Sequence, residues 1–291
     1  MGDGSRGGWN QTRVFRTAPS FAEPFCFVYM GDAQEGIPQW GERLRSALRS
    51  RPDTAFFLMA GDLVDLGNDL DHWTQFLRHA TAVYSQRPVM PCIGNHECIR
   101  NGPHMYLQAF DLPANGPAGL EPERAYSFHY GDALFVILDS NLSAQSQAPW
   151  LEQRLAASPA TWKFVMFHHA VYSSEPTQDH VTLRRTWAPI FDRYHVDLVF
   201  QGHDHAYLRT YPLRAGQRVA RPADGTIYLI SVSGSKMYRQ AQRSYTEIGF
   251  TNTATYSTID LQPVVGRAGG RLTYRAYDTW GRVRDQFAIE K

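Results

Sequence analysis

Residues 25–35 read FCFVYMGDAQE, an apolar run that breaks into Gly31, Asp32, Ala33 and Gln34. The run is too short for a buried helix, and its Phe and Val content suits a strand covered on both faces. A carboxylate released at the end of such a strand is a common start for a metal site, and the residue two places on often supplies a second ligand. Here that residue is Gln34, a neutral and weak ligand.

The same design recurs. FCFVYM, TAFFLMA, VMPCIG, ALFVILD, KFVMFHH, VDLVFQGH and TIYLISVSG are all short apolar runs followed by polar or glycine-containing turns. Between several of them lie helix-like segments such as QWGERLRSALRS and LDHWTQFLRHATAVYSQ, with apolar residues at three-to-four spacing. Alternating strand and helix predicts an α/β layered core. ATYSTIDLQPV and GRLTYRAYDTWGRVRDQFAIEK alternate around glycine turns and predict a closing antiparallel hairpin. With no internal repeat or second boundary, residues 21–291 read as one domain. The glycine-rich, polar residues 1–20 read as a flexible tail or the remnant of a linker to an upstream domain.

The chain has 291 residues, 43% of them hydrophobic, enough for one large core. With 29 basic and 28 acidic residues it has no global field of the kind that marks a nucleic-acid or membrane-surface binder. No apolar stretch reaches the roughly 18 residues of a membrane helix and no signal sequence opens the chain, so the protein is expected to be soluble as it stands. Of the three cysteines, Cys92 and Cys98 are close enough to pair, with buried free thiols as the alternative.

Five strand ends release residues of metal-ligand type: Gly31-Asp32, GDLVD from Gly61 to Asp65, GNHE from Gly94 to Glu97, His168-His169, and GHDH from Gly202 to His205. In an α/β sheet the carboxyl ends of neighbouring strands gather at one edge, so residues remote in sequence converge there. A glycine before the ligand is expected to let the backbone turn sharply. Singly, each motif is more often a turn, a helix cap or an ordinary histidine. Five in this order point to a metal site.

The ordered set resembles the calcineurin-like metallophosphoesterases. FRTAP (residues 15–19), AYSFHYGDALFVILDSN, QAPWLEQRL, HHAVYSS, GHDHAYLRTYP and GTIYLISVSGSKMY further resemble the catalytic domain of purple acid phosphatase-like proteins, from about residue 15 to the end. In that group TAP commonly closes a fibronectin-like domain, which this sequence is expected to lack. The resemblance implies a four-layer αββα sandwich with a dinuclear site at the strand ends. It implies Asp32, Asp62 and His205 on a first metal and Asn95, His168 and His203 on a second, with Asp62 bridging and His96 beside them without ligating. Two ions roughly 3.5–4 Å apart acidify a shared water, and hydroxide is then the nucleophile. His96 would protonate the leaving alkoxide or orient the phosphate. His169 would face the substrate or only pack, and His180 would reach the phosphate or stay an exposed loop residue. Tyr207 and Arg209 match the family, as substrate contacts or as structure behind GHDH.

The sequence departs from the pattern twice. The tyrosine that colours purple acid phosphatases would stand at position 65, which is Asp65, and other calcineurin-like enzymes place a histidine where Gln34 stands. Two divalent ions with two aspartates, a hydroxide and neutral Gln34 keep a net positive charge, which Asp65 as a further ligand would cancel. Gln34, through its amide oxygen, is therefore the expected direct or water-mediated partner of the first metal, and Asp65 a supporting or helix-capping residue. The expected cofactors are two divalent ions, Fe, Mn or Zn with Mg as a further option, oxygen ligands shifting preference away from Zn. The expected function is hydrolysis of small phosphomonoesters. The alternatives are a phosphodiesterase on the same metals, or a degenerate phosphate- or partner-binding module. A secreted or extracytoplasmic place follows from the resemblance alone.

Overall fold

The computed structural model describes residues 16–19, 21–100, 102–264 and 269–291. Apart from residues 16–19, the tail expected over residues 1–20 lies outside the described residues. Seven strands come first: β1 (Phe25–Met30), β2 (Thr54–Met59), β3 (Val89–Pro91), β4 (Tyr126–Tyr130), β5 (Ala133–Ile137), β6 (Trp162–Met166) and β7 (Leu198–Gln201). Helices α1 (Ile37–Ser50), α2 (Leu70–Tyr84), α3 (His104–Ala109), α4 (Ala144–Ala157) and α5 (Val181–Tyr194) lie between them. The chain continues through β8 (Tyr207–Thr210), a small hairpin of β9 (Leu213–Arg214) and β10 (Gln217–Arg218), and β11 (Ile227–Ile230). It ends in β12 (Thr246–Phe250), β13 (Tyr256–Pro263), β14 (Gly270–Tyr277) and β15 (Val283–Glu290).

Two sheets carry the fold, in the orders β15-β14-β13-β1-β2-β3 and β12-β8-β11-β7-β6-β5-β4. The expected carboxyl-terminal hairpin is β13 to β15, which pairs antiparallel onto β1. In the first sheet β1, β2 and β3 run parallel at one end, and in the second β11, β7, β6 and β5 run parallel in the middle. Met30 sits opposite Met59 and Met59 opposite Pro91, so β1, β2 and β3 end level. In the second sheet Met166 lies opposite Phe200 and Gln201 opposite Ile230, so β6, β7 and β11 end level too.

A phenylalanine cluster joins the sheets. Phe27 of β1 stacks on Phe56 of β2 at 5.3 Å and meets Phe135 of β5 edge-on at 5.2 Å and Phe200 of β7 at 5.9 Å. Outside the first sheet, Trp40, Leu44 and Ala47 of α1 and Trp73, Phe76 and Val83 of α2 are buried at the expected helical spacing. On the second, Leu134, Val136 and Val165 face Leu151 of α4 and Trp187 and Phe191 of α5. Residues that alternate along β5 thus fill both faces, as a strand between two layers requires. This is the four-layer αββα sandwich. No helix among the described residues is long and apolar enough to cross a membrane. Cys92 and Cys98 are free thiols, not a pair.

Behind GHDH, Tyr207 and Arg209 turn away from the strand ends and tie the two sheets together. Tyr207 donates to Asp285 at 2.7 Å, and Arg209 holds both Asp285 oxygens, at 2.6 and 3.0 Å, and also pairs with Glu247. Both members of the Arg209–Asp285 pair are buried, so Arg209→Ala would strand a carboxylate and cost about 3–5 kcal/mol. The urea midpoint should fall accordingly, and Arg209→Met with Asp285→Leu should recover most of the loss.

Candidate metal centre

The level strand ends bring the five motifs to one edge. Asp32 N–H donates to Gly61 O and Gln34 N–H to Asp62 O, both at 3.1 Å, tying the loop after β1 to the loop after β2. Gly202 N–H donates to His168 O at 2.9 Å, tying β7 to β6, and His203 N–H donates to the Asp32 carboxylate at 2.8 Å across the two sheets. Ser233 and Gly234, after β11, close the edge by donating to Gly31 O and Asp32 O at 2.7 Å each.

The glycines act differently from the expectation. Of the four that precede a ligand motif after β1, β2, β3 and β7, only Gly61 is left-handed; positive φ falls mainly on polar residues, 48° at Asp32, 51° at Asp62, 74° at His203 and 45° at His205. Gly94 and Gly202 supply room instead: a Cβ on Gly94 would fall on the Asp62 carboxylate, and one on Gly202 on that of Asp32. Left-handed backbone in non-glycine residues costs on the order of 1 kcal/mol each, and it collects here at the site.

Two groups of donor atoms result, and they share one residue. Asp62, His168 and His203 form the first and Asp32, Asp62 and His205 the second, with the atoms within each group lying within 4.8 Å of one another. Asn95 belongs with the first: its Oδ1 lies 3.0 Å from His168 Nε2 and 2.9 Å from His203 Nδ1. Each imidazole spends its other nitrogen outward. His168 Nδ1 donates to Ala60 O at 2.7 Å, His203 Nε2 to Gln178 Oε1 at 2.7 Å, and His205 Nδ1 to Lys236 O at 3.1 Å. Those bonds fix the ring orientations and turn the other nitrogen of each ring inward, where a metal could take its lone pair.

The donor set fits a cation. His168 Nε2, His203 Nδ1, Asn95 Oδ1 and an Asp62 oxygen 3.2 Å from His168 face one another. Against its burial, Asp62 raises the His168 pKa to about 10, so a proton bridges this pair where a cation would replace it. Burial, reinforced by Asp62, holds the Asp32 carboxyl well above the usual carboxylate range. At Asp62 burial works the same way, but His168 outweighs it and keeps the group low. Gln34 Oε1 is buried with no hydrogen-bond partner, while its Nε2 lies 3.1 Å from His96 Nε2 and 3.4 Å from His205 Nε2. Positive charge at this spot would relieve each of these costs.

His96 borders the cluster. Its backbone N–H donates to Asp62 at 3.0 Å, its Nε2 is 3.9 Å from the other Asp62 oxygen, and its Nδ1 donates to Asp65 O at 2.6 Å with the Asp65 carboxylate 3.4 Å away. Asp65 therefore supports His96 at the ring nitrogen turned away from the cluster. It caps no helix; that residue is Asp69, whose carboxylate accepts from Asp71 and His72 at the start of α2.

His169 and His180 are drawn in as well. The His169 ring packs 4.6 Å from His203 and 4.9 Å from His180, and its Nδ1 meets Ser140 Oγ at 2.8 Å. Burial, with His168 next, presses its pKa down to about 2, so it is a neutral ring. His180 sits at the start of α5 with Nε2 buried and unpartnered.

Three residues were given no role in the sequence. Glu97 accepts from the backbone of Asp62, Leu63, Val64 and Gly94, at 2.9, 2.8, 3.3 and 2.7 Å, and so locks the β2 and β3 loops together. Asp204 takes bonds from Ser173, Ser174 and Glu175 and anchors the loop that carries Gln178. A buried carboxylate inside GNHE or GHDH is the signal that could have found the first two. Gln178, on an exposed loop, has none.

A family model described as calcineurin-like phosphoesterase matches residues 27–207, through all five motifs. The chain belongs to this family. Calcineurin-like phosphoesterases hold a dinuclear metal site, and this one clusters Asp and His ligands at the matching strand ends. Within the family its likeness is to purple acid phosphatases. Purple acid phosphatase 21 of Arabidopsis thaliana is 28% identical over 71% of this chain and 49% of its own length. An uncharacterised Mycobacterium tuberculosis protein is 29% identical over 75% and 52%. The fold matches a purple acid phosphatase from yellow lupin seeds with a TM-score of 0.78 at 18% identity, covering 95% of this chain and 56% of that one. The chain spans about half the length of the curated relatives it matches.

Proposed function

We propose that this phosphoesterase hydrolyses small phosphomonoesters and that residues 21–291 are its catalytic domain. Asp32, Asp62, His205 and the amide oxygen of Gln34 would hold one metal, and Asp62, Asn95, His168 and His203 the other. When bound, such a pair acidifies a water and neutralises phosphoryl oxygens. Divalent Mn, Fe or Mg suits the oxygen-rich first position better than Zn.

The chain's own residues do the rest. Gln178 and Ala60 hold His203 and His168 in the ligating tautomer. His169 and His180 would meet the outer phosphate oxygens, a neutral ring and an unpartnered nitrogen being fit to donate to them. His96, held at Nδ1 by Asp65 and turned at Nε2 towards Gln34 and the edge of the cluster, would give its Nε2 proton to the departing alkoxide. That oriented ring carries the reading, because a module that only bound phosphate needs no proton donor aimed at the cluster. The relative named a purple acid phosphatase favours a monoester.

The test is hydrolysis of p-nitrophenyl phosphate that vanishes on chelation, returns with Mn²⁺ or Fe²⁺, and exceeds that of bis-p-nitrophenyl phosphate by at least about tenfold in kcat/KM. A faster diester would make the enzyme a phosphodiesterase, and no turnover by metal-loaded protein would leave the binding module. Colour gives an independent check. With Asp65 in the tyrosine's place, iron-loaded protein should show no tyrosinate-to-iron band, and a strong one would mean that another tyrosine reaches the first metal.

A further inference from the structure

Beside the cluster, a cavity of about 190 Å³ opens against the first turns of α1 and α2. Its walls include Gln34, Ile37, Val64, Asp65, His72 and Gln75. Two of these also touch His96, Gln34 at Nε2 and Asp65 at Nδ1. A proton passes only over hydrogen-bond distance, about 2.6–3.2 Å. The oxygen that receives it must therefore lie at His96 Nε2, and the rest of the departing alcohol occupies the space next to that ring.

We infer that this cavity is the alcohol subsite, and that it selects a compact leaving group without negative charge. The inference rests on the phosphatase reading above. The ester oxygen leaves with the electron pair of the broken P–O bond and takes the His96 proton, and the water consumed supplies the new P–O bond and the proton that restores the ring. The cavity is smaller than the roughly 300–1,000 Å³ of a drug-sized site, so the group is compact. Buried Ile37 and Val64 give it an apolar floor. His72 accepts from Leu66 N–H through Nδ1 at 3.1 Å, which leaves its Nε2–H for a substrate hydroxyl, with Gln75 and Asp65 as further polar partners. The lining holds one carboxylate and no lysine or arginine, and nearby Lys236 is already paired with Glu35 at 2.9 Å. A carboxylate or second phosphate on the alcohol would face Asp65 with no cation in the walls to meet it.

The experiment compares kcat/KM of the metal-loaded protein for glycerol 2-phosphate, phosphocholine and 3-phosphoglycerate. The first two should exceed the third by about tenfold. Gln75→Lys, at an exposed position of the lining, should narrow that gap to about threefold. Equal rates for the three esters, or a gap that Gln75→Lys does not move, would overturn the inference. Should no ester react, the phosphatase reading fails, and the cavity is still read by the Ile37 methyl resonance. Shifts with glycerol or choline exceeding those with glycerate support the subsite; no shift, or a larger one with glycerate, overturns it.

Discussion

Asp62→Asn is expected to empty both metal positions at once and to reduce phosphatase turnover by roughly 10³-fold or more. Asp62 is the residue common to the two donor groups, so its neutral amide weakens each of them, while the other ligands serve one. Losing both ions removes several kcal/mol of charge stabilisation, and each 1.36 kcal/mol is about tenfold in rate. The fold should persist, because the locks on the neighbouring loops come from Glu97 and from backbone bonds that this change leaves in place. His205→Ala is the contrast, expected to lose one ion and keep the other. Metal content per chain and p-nitrophenyl phosphate turnover, measured on both variants, check the difference. A variant Asp62→Asn that retained two ions would show that the aspartate does not bridge.

His96→Ala is expected to lower kcat by about 10²–10⁴-fold with metal content unchanged, since its ring borders the donor groups without belonging to either. The size of the loss should follow the leaving group. A p-nitrophenolate departs with little help, so its ester should sit at the low end, whereas a simple alkyl phosphate needs the proton and should sit at the high end. An equal loss on both esters would assign His96 to orienting the phosphate instead. Asp65→Asn should act more weakly and in the same direction, because the shortest contact to His96 is the backbone carbonyl at 2.6 Å and survives the change.

The fold was legible where strands are buried on both faces. FCFVYM is β1 without a residue's error, and α1 and α2 begin within two residues of the expected helical segments. The helices α4 and α5 read less clearly because Pro149 and Pro189 lie inside them. The division into two sheets is set by pairing between remote strands, above all β13 on β1, and no local pattern encodes it. At the site, the five strand-end motifs together with their resemblance to calcineurin-like enzymes marked Asp32, Asp62, Asn95, His96, His168, His203 and His205, which the structure brings together. The glycines' work was misread because close approach, unlike a turn, depends on what lies across the gap: the Asp62 carboxylate at Gly94 and that of Asp32 at Gly202. Gln178 stayed hidden for the same reason, as its partner His203 is 25 residues away and an exposed glutamine carries no signal of its own. Gln34 read in the sequence as a neutral, weak partner of the first metal where related enzymes place a histidine. In the structure its buried, unpartnered Oε1 makes it a residue still in need of a partner.

The central claim is a dinuclear, divalent centre built on Asp62. Metal analysis of protein saturated with Mn²⁺ and freed of excess ion tests it most directly. Two ions per chain, both removed by a chelator together with phosphatase activity, is the predicted result; one ion or none at saturation would contradict it.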